Sequence, residues 1–227
     1  MRVLLFDIDG TLVNAGGAGR AAFELAFERV HGVVRAGRDV SFDGKTDPRI
    51  YDELCALYRI PIDAENRRDG LRRYTLALRR LMPSAPGAVE LPGARALLER
   101  ARAAGMPTGL LTGNVREGAA IKLGRFGLDS FFPFGAYGDD AETREQIAER
   151  ALALGRAAAG DPALAPAAFV VIGDTPRDVA CGKAWGMRTL GVATGSRYRA
   201  ADLVQAGADL ALDTLEGTDA VMSWIGT

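Results

Sequence analysis

Four apolar residues in unbroken succession, Val3-Leu4-Leu5-Phe6, run straight into Asp7 and then Asp9-Gly10, and this stretch constrains the chain more than any other. A half-exposed strand alternates apolar and polar side chains, whereas a run apolar on both faces is a strand covered on both sides, as in a parallel sheet flanked by helices. Such a strand delivers Asp7 to its carboxyl end, the edge of an open α/β sheet where ligands bind. In extended chain Asp7 and Asp9 fall on the same side, so two carboxylates can address one atom or one metal. Taken alone, Asp9-Gly10 reads equally well as a turn that Asp7 caps, because Asp and Gly are ordinary turn formers.

Further strand signals recur with helices between them. Met106 to Leu111 is a second strand ending at Thr112-Gly113-Asn114, and Phe131 to Tyr137 a third, whose Pro133 argues for an edge position. Phe169-Val-Val-Ile is the fourth and runs into Gly173-Asp174-Thr175-Pro176-Arg177-Asp178, where Pro176 starts a helix with Asp178 in its first turn. Thr189 to Ala193 and Leu210 to Leu212 complete the set. Strands alternating with helices in this way predict an α/β fold with a doubly wound parallel sheet.

One segment breaks the alternation. Gly16, Gly17 and Gly19 form a flexible entry into a helix carrying Phe23, Phe27 and Val30, and from Gly32 to about Val89 no strand is persuasive. Asp47 can cap a helix with Pro48 at its first position, and Leu71, Tyr74, Leu78 and Leu81 line another. Residues 15–89 are therefore expected to form a small helical unit inserted into an α/β core of residues 1–14 and 90–227.

The net charge of −1 and the lack of a basic arm argue against nucleic acid or a membrane surface as partner. Two distant cysteines, Cys55 and Cys181, fit a reducing compartment and exclude a cysteine zinc site, and a single histidine, His31, excludes a histidine-rich one. Any metal must then be held by oxygen. With a strand at the amino terminus and no apolar run of about twenty residues, the expected location is the cytoplasm.

Three strand ends carry polar chemistry: Asp7 with Asp9, Thr112, and Asp174 with Asp178. In a parallel sheet these ends share one edge, so residues more than a hundred positions apart converge. Carboxylates gathered at one point repel each other unless a cation lies between them, which makes a Mg2+ site the economical reading. Asp7, the backbone carbonyl of Asp9 and Asp174 are its natural ligands, with Asp178 orienting a metal-bound water.

On these motifs, FDIDGTLV, LLTGN and VIGDTPRDVACG, the chain resembles the haloacid dehalogenase superfamily of phosphohydrolases, in the subclass whose helical cap follows the first motif. The resemblance implies that Asp7 is a nucleophile forming an aspartyl-phosphate, that Asp9 is the general acid and then base, and that Thr112 binds the transferring phosphoryl group. It implies an enzyme similar to phosphoglycolate phosphatase, acting on a small phosphorylated metabolite. The family also supplies a lysine before the helix after the third strand, and here the aligned segment is Gly138-Asp-Asp-Ala-Glu-Thr-Arg-Glu-Gln. Arg144 is the preferred substitute, because arginine supplies a fixed cation. Lys122, two turns into the helix after Thr112, is the rival and is expected to lie some way from the strand ends.

Gly113 and Asn114 either line the site or form a turn. In the insertion, Lys45 can pair with an anionic substrate group, although solvation at the surface is the commoner fate of a lysine. A phosphomutase uses the same two aspartates, a phosphonate hydrolase needs a cap lysine such as Lys45, and a non-catalytic binding module on the same fold is the reading from a different class.

Overall fold

The opening run forms strand β1 (Val3–Phe6), and all four residues are fully buried. The computed structural model describes residues 1–38, 40–195 and 197–226. After β1 come a short strand β2 (Val13–Ala15) and three helices, α1 (Ala18–His31), α2 (Asp47–Leu57) and α3 (Ala64–Leu81). Strand β3 (Ala88–Glu90) then returns antiparallel to β2, with Val13 opposite Glu90 and Ala15 opposite Ala88. From there strand and helix alternate: α4 (Ala94–Ala103), β4 (Thr108–Leu111), α5 (Arg116–Gly124), β5 (Phe134–Ala136), α6 (Arg144–Ala159), β6 (Phe169–Gly173), α7 (Pro176–Ala184), β7 (Arg188–Val192), α8 (Ala200–Gln205), β8 (Leu210–Leu212) and α9 (Thr218–Gly226).

The main sheet is parallel, in the order β5-β4-β1-β6-β7-β8. From β1 the chain builds outward through β4 and β5, then crosses to build β6, β7 and β8 on the other side. The strand order therefore reverses at β1, and the crevice beyond its carboxyl end is flanked by the ends of β4 and β6. Leu4 and Phe6 pack with Leu97, Leu98, Val221 and Ile225 of α4 and α9 on one face. Val3 and Leu5 pack with Ile147, Ala148 and Ala151 of α6 on the other. A period of two with helices on both faces is why β1 reads as an unbroken apolar run. Phe6 also meets the Phe132 ring edge-on, with centroids 5.8 Å apart. Phe6→Ala is expected to cost about 3–5 kcal/mol, read as a lower urea midpoint at unchanged slope.

A third cluster lies among α1, α2 and α3, where Phe23 stacks on Tyr74 at 3.9 Å between centroids. Gly70 inside α3 is a packing glycine, because a Cβ there would overlap the ring of Tyr51. The expected junctions of the inserted unit, 14/15 and 89/90, both fall inside the β2/β3 ladder, and β3 is a strand where the sequence pattern predicted none. The third predicted strand is shortened to Phe134–Ala136 by a 3-10 turn at Asp129–Phe131, and it stands at the sheet edge beside Pro133. Asp47 is not the cap of α2: the Thr46 side chain accepts the Arg49 N–H at 3.2 Å, which leaves Asp47 in the first turn of α2 with its carboxylate free to act elsewhere. Among the described residues no helix is long and apolar enough to cross a membrane.

Candidate active site

β1 hands on to Asp7, whose N–H extends the ladder to the Ile172 carbonyl at 2.9 Å. The chain then turns, with the N–H groups of Thr11, Leu12 and Val13 all directed at the Ile8 carbonyl. Gly10 occupies the left-handed region at φ 81°, as such a turn demands. Beside it β6 ends at Gly173-Asp174, and Thr175 caps α7 in a reciprocal box with Asp178. β4 delivers Thr112, fully buried, on the other flank.

Asp7, Asp174 and Asp178 are all buried, and each offers a carboxylate oxygen within 4.8 Å of the others. Burial, reinforced by Asp178 and opposed by Arg144, pushes the Asp7 carboxyl up to about 7. Burial and then Asp178 and Asp7 likewise hold Asp174 well above the usual carboxylate range. Oδ1 of Asp174 is buried without a hydrogen-bond partner. Gly10 and Gly195 wall the same side chain so closely that a Cβ at either position would overlap its carboxylate. A buried carboxylate with an unpartnered oxygen, clustered with two other buried carboxylates, is a donor set suited to a hard divalent cation.

The remaining predicted residues divide between two cations. Asp9 is not one of the three clustered acids, and its Oδ2 accepts from Lys122 Nζ at 2.5 Å and from Asn114 Nδ2 at 2.8 Å. Lys122 Nζ also donates to Asn114 Oδ1 at 2.6 Å, and Asn114 Nδ2 to Thr112 Oγ1 at 3.0 Å. The expected remoteness of Lys122 is thus corrected. It is 4% exposed, because side chains on a helix lean toward its N-terminus and the long stem carries the ammonium back to the strand ends. Burial alone would lower its pKa, but Asp9 and Asp47 more than compensate and raise it. Arg144 is also buried and pairs with Asp178, and its Nη1 donates to the Gly44 carbonyl at 3.3 Å.

Asp178 was expected to orient a water on the metal. Both its oxygens are engaged: Oδ2 accepts from the Thr175 N–H at 3.0 Å and its hydroxyl at 2.6 Å, and Oδ1 accepts from Arg144. Lys45 faces the cavity rather than open solvent, paired with Glu53, which also takes Arg49. Gly113 contributes backbone, its carbonyl accepting the Asp47 N–H at 2.8 Å.

The cavity over these residues has a volume of about 260 Å3. Its floor is the strand-end chemistry and its walls include Arg20, Phe23, Phe42, Tyr74 and Arg197. Phe23 and Tyr74 were legible as apolar helix positions but not as cavity lining, since helical spacing gives a face and not what the face meets. In sequence Asp47 reads as a helix cap in a polar loop that could face the cleft, and its partners Tyr74 and Val115 are not legible there because they lie on other elements.

Known proteins share this arrangement of strands and helices. A hydrolase from Pseudomonas syringae superposes with a TM-score of 0.74 at 20% identity, over 99% of each chain. A predicted phosphoglycolate phosphatase from Haemophilus somnus 129pt does so at 0.73 and 17% identity, over 98% of each. CbbY from Rhodobacter sphaeroides, solved in complex with phosphate, does so at 0.69 and 22% identity, over 95% of each. At such identities these likenesses speak for the fold. No curated protein matches the chain significantly. Membership is carried by the sequence itself, since residues 4–192, from inside β1 to the end of β7, match the family model described as haloacid dehalogenase-like hydrolase. The chain belongs to the haloacid dehalogenase-like hydrolases.

Proposed function

We propose that the protein is a Mg2+-dependent phosphatase of a small phosphorylated metabolite, with residues 15–89 forming a cap over a core of residues 1–14 and 90–227. The observation that carries this reading is the division of labour between Asp7, which lies in the cluster with Asp174 and Asp178, and Asp9, which lies on Lys122 and Asn114. That division suits one carboxylate to attack and the other to move protons, two tasks that require different environments.

A carboxylate oxygen of Asp7 forms a bond to phosphorus while the bond from phosphorus to the ester oxygen breaks, and Asp9 gives that departing oxygen its proton. Water then attacks the aspartyl-phosphate, Asp9 takes the water proton, and the bond from phosphorus to Asp7 breaks to release phosphate. Thr112 and the Gly113 backbone offer donors to the phosphoryl oxygens, Asn114 holds Thr112 and Asp9 in place, and Lys122 and Arg144 offset the accumulated negative charge. Mg2+, held by Asp7, Asp174 and the Asp9 carbonyl, would supply the positive charge that lets three buried carboxylates and a phosphate share one site. Asp178, tied to Thr175 and Arg144, supports the cluster from behind. Lys45 and the cavity walls select the leaving group, and about 260 Å3 suits a small one.

The test is release of inorganic phosphate from p-nitrophenyl phosphate and from a metabolite panel including phosphoglycolate and sugar phosphates. Turnover is expected with Mg2+, to vanish with EDTA and to return when Mg2+ is restored. Isomerised sugar phosphate without net phosphate release would replace this reading with a mutase, and no turnover on any ester would replace it with a binding role.

A further inference from the structure

Helix α5, which carries Lys122, begins without a cap of its own. Its N-cap position is Val115, which has no acceptor in its side chain, so the first N–H groups need partners from elsewhere. The Val115 N–H goes to Oδ2 of Asp47 at 2.8 Å and the Arg116 N–H to Oδ1 of Asp139 at 2.9 Å. Asp47 belongs to the first turn of α2, whose own cap is Thr46, so this carboxylate is not spent on capping the helix that bears it. Its backbone N–H makes a second link across, to the Gly113 carbonyl.

Asp47 is 6% exposed, and a carboxylate so buried is tolerated only when compensated. The compensation comes from both sides: the Tyr74 hydroxyl of α3, the Val115 N–H, and the charge of Lys122. Lys122 Nζ itself is bonded to Asp9 at the end of β1 and to Asn114, while the charge of Asp47 acts on it from the helical segment without a direct ion pair. Other ties between the two parts, Thr75 and Arg79 to Glu117 and Arg197 to Asp43, do not involve Lys122. These ties do not pass through Asp47, so Asp47→Ala removes the partner of the Val115 N–H and a charge acting on Lys122 while the segment stays docked.

We propose that Asp47 is a positioning residue, which caps α5 from the helical segment and so aligns Lys122 on Asp9 only while that segment is docked. The inference rests on the roles given above to Asp9 and Lys122. Its test uses the full chain with Asp47→Ala, Asp47→Asn and Lys122→Met, and it includes readouts that do not depend on turnover. In Asp47→Ala the Val115 amide is expected to exchange about 5–10-fold faster, as for a lost helix cap, with amides of β1 and β4 unchanged. Acylation of Lys122 by an amine-directed reagent, followed by mass spectrometry, is expected to accelerate in the same variant.

With p-nitrophenyl phosphate, kcat is expected to fall about 100-fold at nearly unchanged KM, the signature of a misplaced group rather than of lost binding. Asp47→Asn, which keeps an acceptor for Val115, should restore the amide protection and part of kcat. In the Lys122→Met background, Asp47→Ala should have no further effect on kcat. Unchanged exchange and labelling, or additive effects on kcat in the cycle, would overturn the proposal. A wild-type protein that releases no phosphate would sink the phosphatase reading alone, because exchange and labelling still decide what Asp47 does.

Discussion

Asp7→Asn is expected to lower turnover of p-nitrophenyl phosphate by about 10^5-fold or more, the scale seen when a covalent nucleophile is removed. The amide is nearly isosteric, so shape and packing at the end of β1 persist while nucleophilicity is lost. The substitution also removes one of three mutually repelling buried carboxylates. In metal-free protein the melting temperature should accordingly hold or rise, and the stabilisation given by Mg2+ should shrink. Loss of activity with loss of fold would point instead to a structural Asp7. Trapping of radiolabelled phosphate on the wild-type chain and not on the variant completes the measurement.

The second large effect separates the two buried cations. Lys122→Met keeps an unbranched chain of similar length, leaves Asp9, whose side chain is 42% exposed, open to water, and leaves Asp47 its bond from the Val115 N–H, so the fold should lose less stability than in Arg144→Met. Turnover should nevertheless fall by about 10^3-fold, as when one preorganised donor or charge is removed from a reaction site. Arg144→Met strands the carboxylate of Asp178, whose side chain is 2% exposed, and breaking a buried pair in this way costs about 3–5 kcal/mol. For a chain of this size that is a melting-temperature drop of roughly 6–20 °C. Turnover assayed well below the new melting point should survive far better in Arg144→Met than in Lys122→Met. The reverse order would make Arg144, the residue the sequence pattern favoured, the cation that acts on the phosphoryl group.

Much of this was legible in one dimension because it depends on local rules. A continuous apolar run ending in Asp-x-Asp-Gly identifies a doubly covered strand and its reactive end, and Thr-Pro-x-Asp after Phe169-Val-Val-Ile identifies a capped helix on another. Pro133 foretold the sheet edge by withholding a donor. Even the convergence of Asp7, Thr112 and Asp174 follows from topology, since parallel strands must end on a common edge.

What the sequence could not state was direction and partnership across elements. Lys122 was placed by counting residues along a helix axis, but a side chain of that length leans back over the preceding turn, and only the packing of α5 shows that it arrives at Asp9. Asp47 resembled a helix cap because the pattern Asp-Pro is a local signal, while its acceptor is spent on Val115, which lies 68 residues away. By itself the sequence determined the sheet, the edge that carries the chemistry and the carboxylates on it. Which cation serves which carboxylate, and what the helical segment contributes, only the tertiary structure decided, because ion pairs between distant residues obey distance in space and leave no period in the chain.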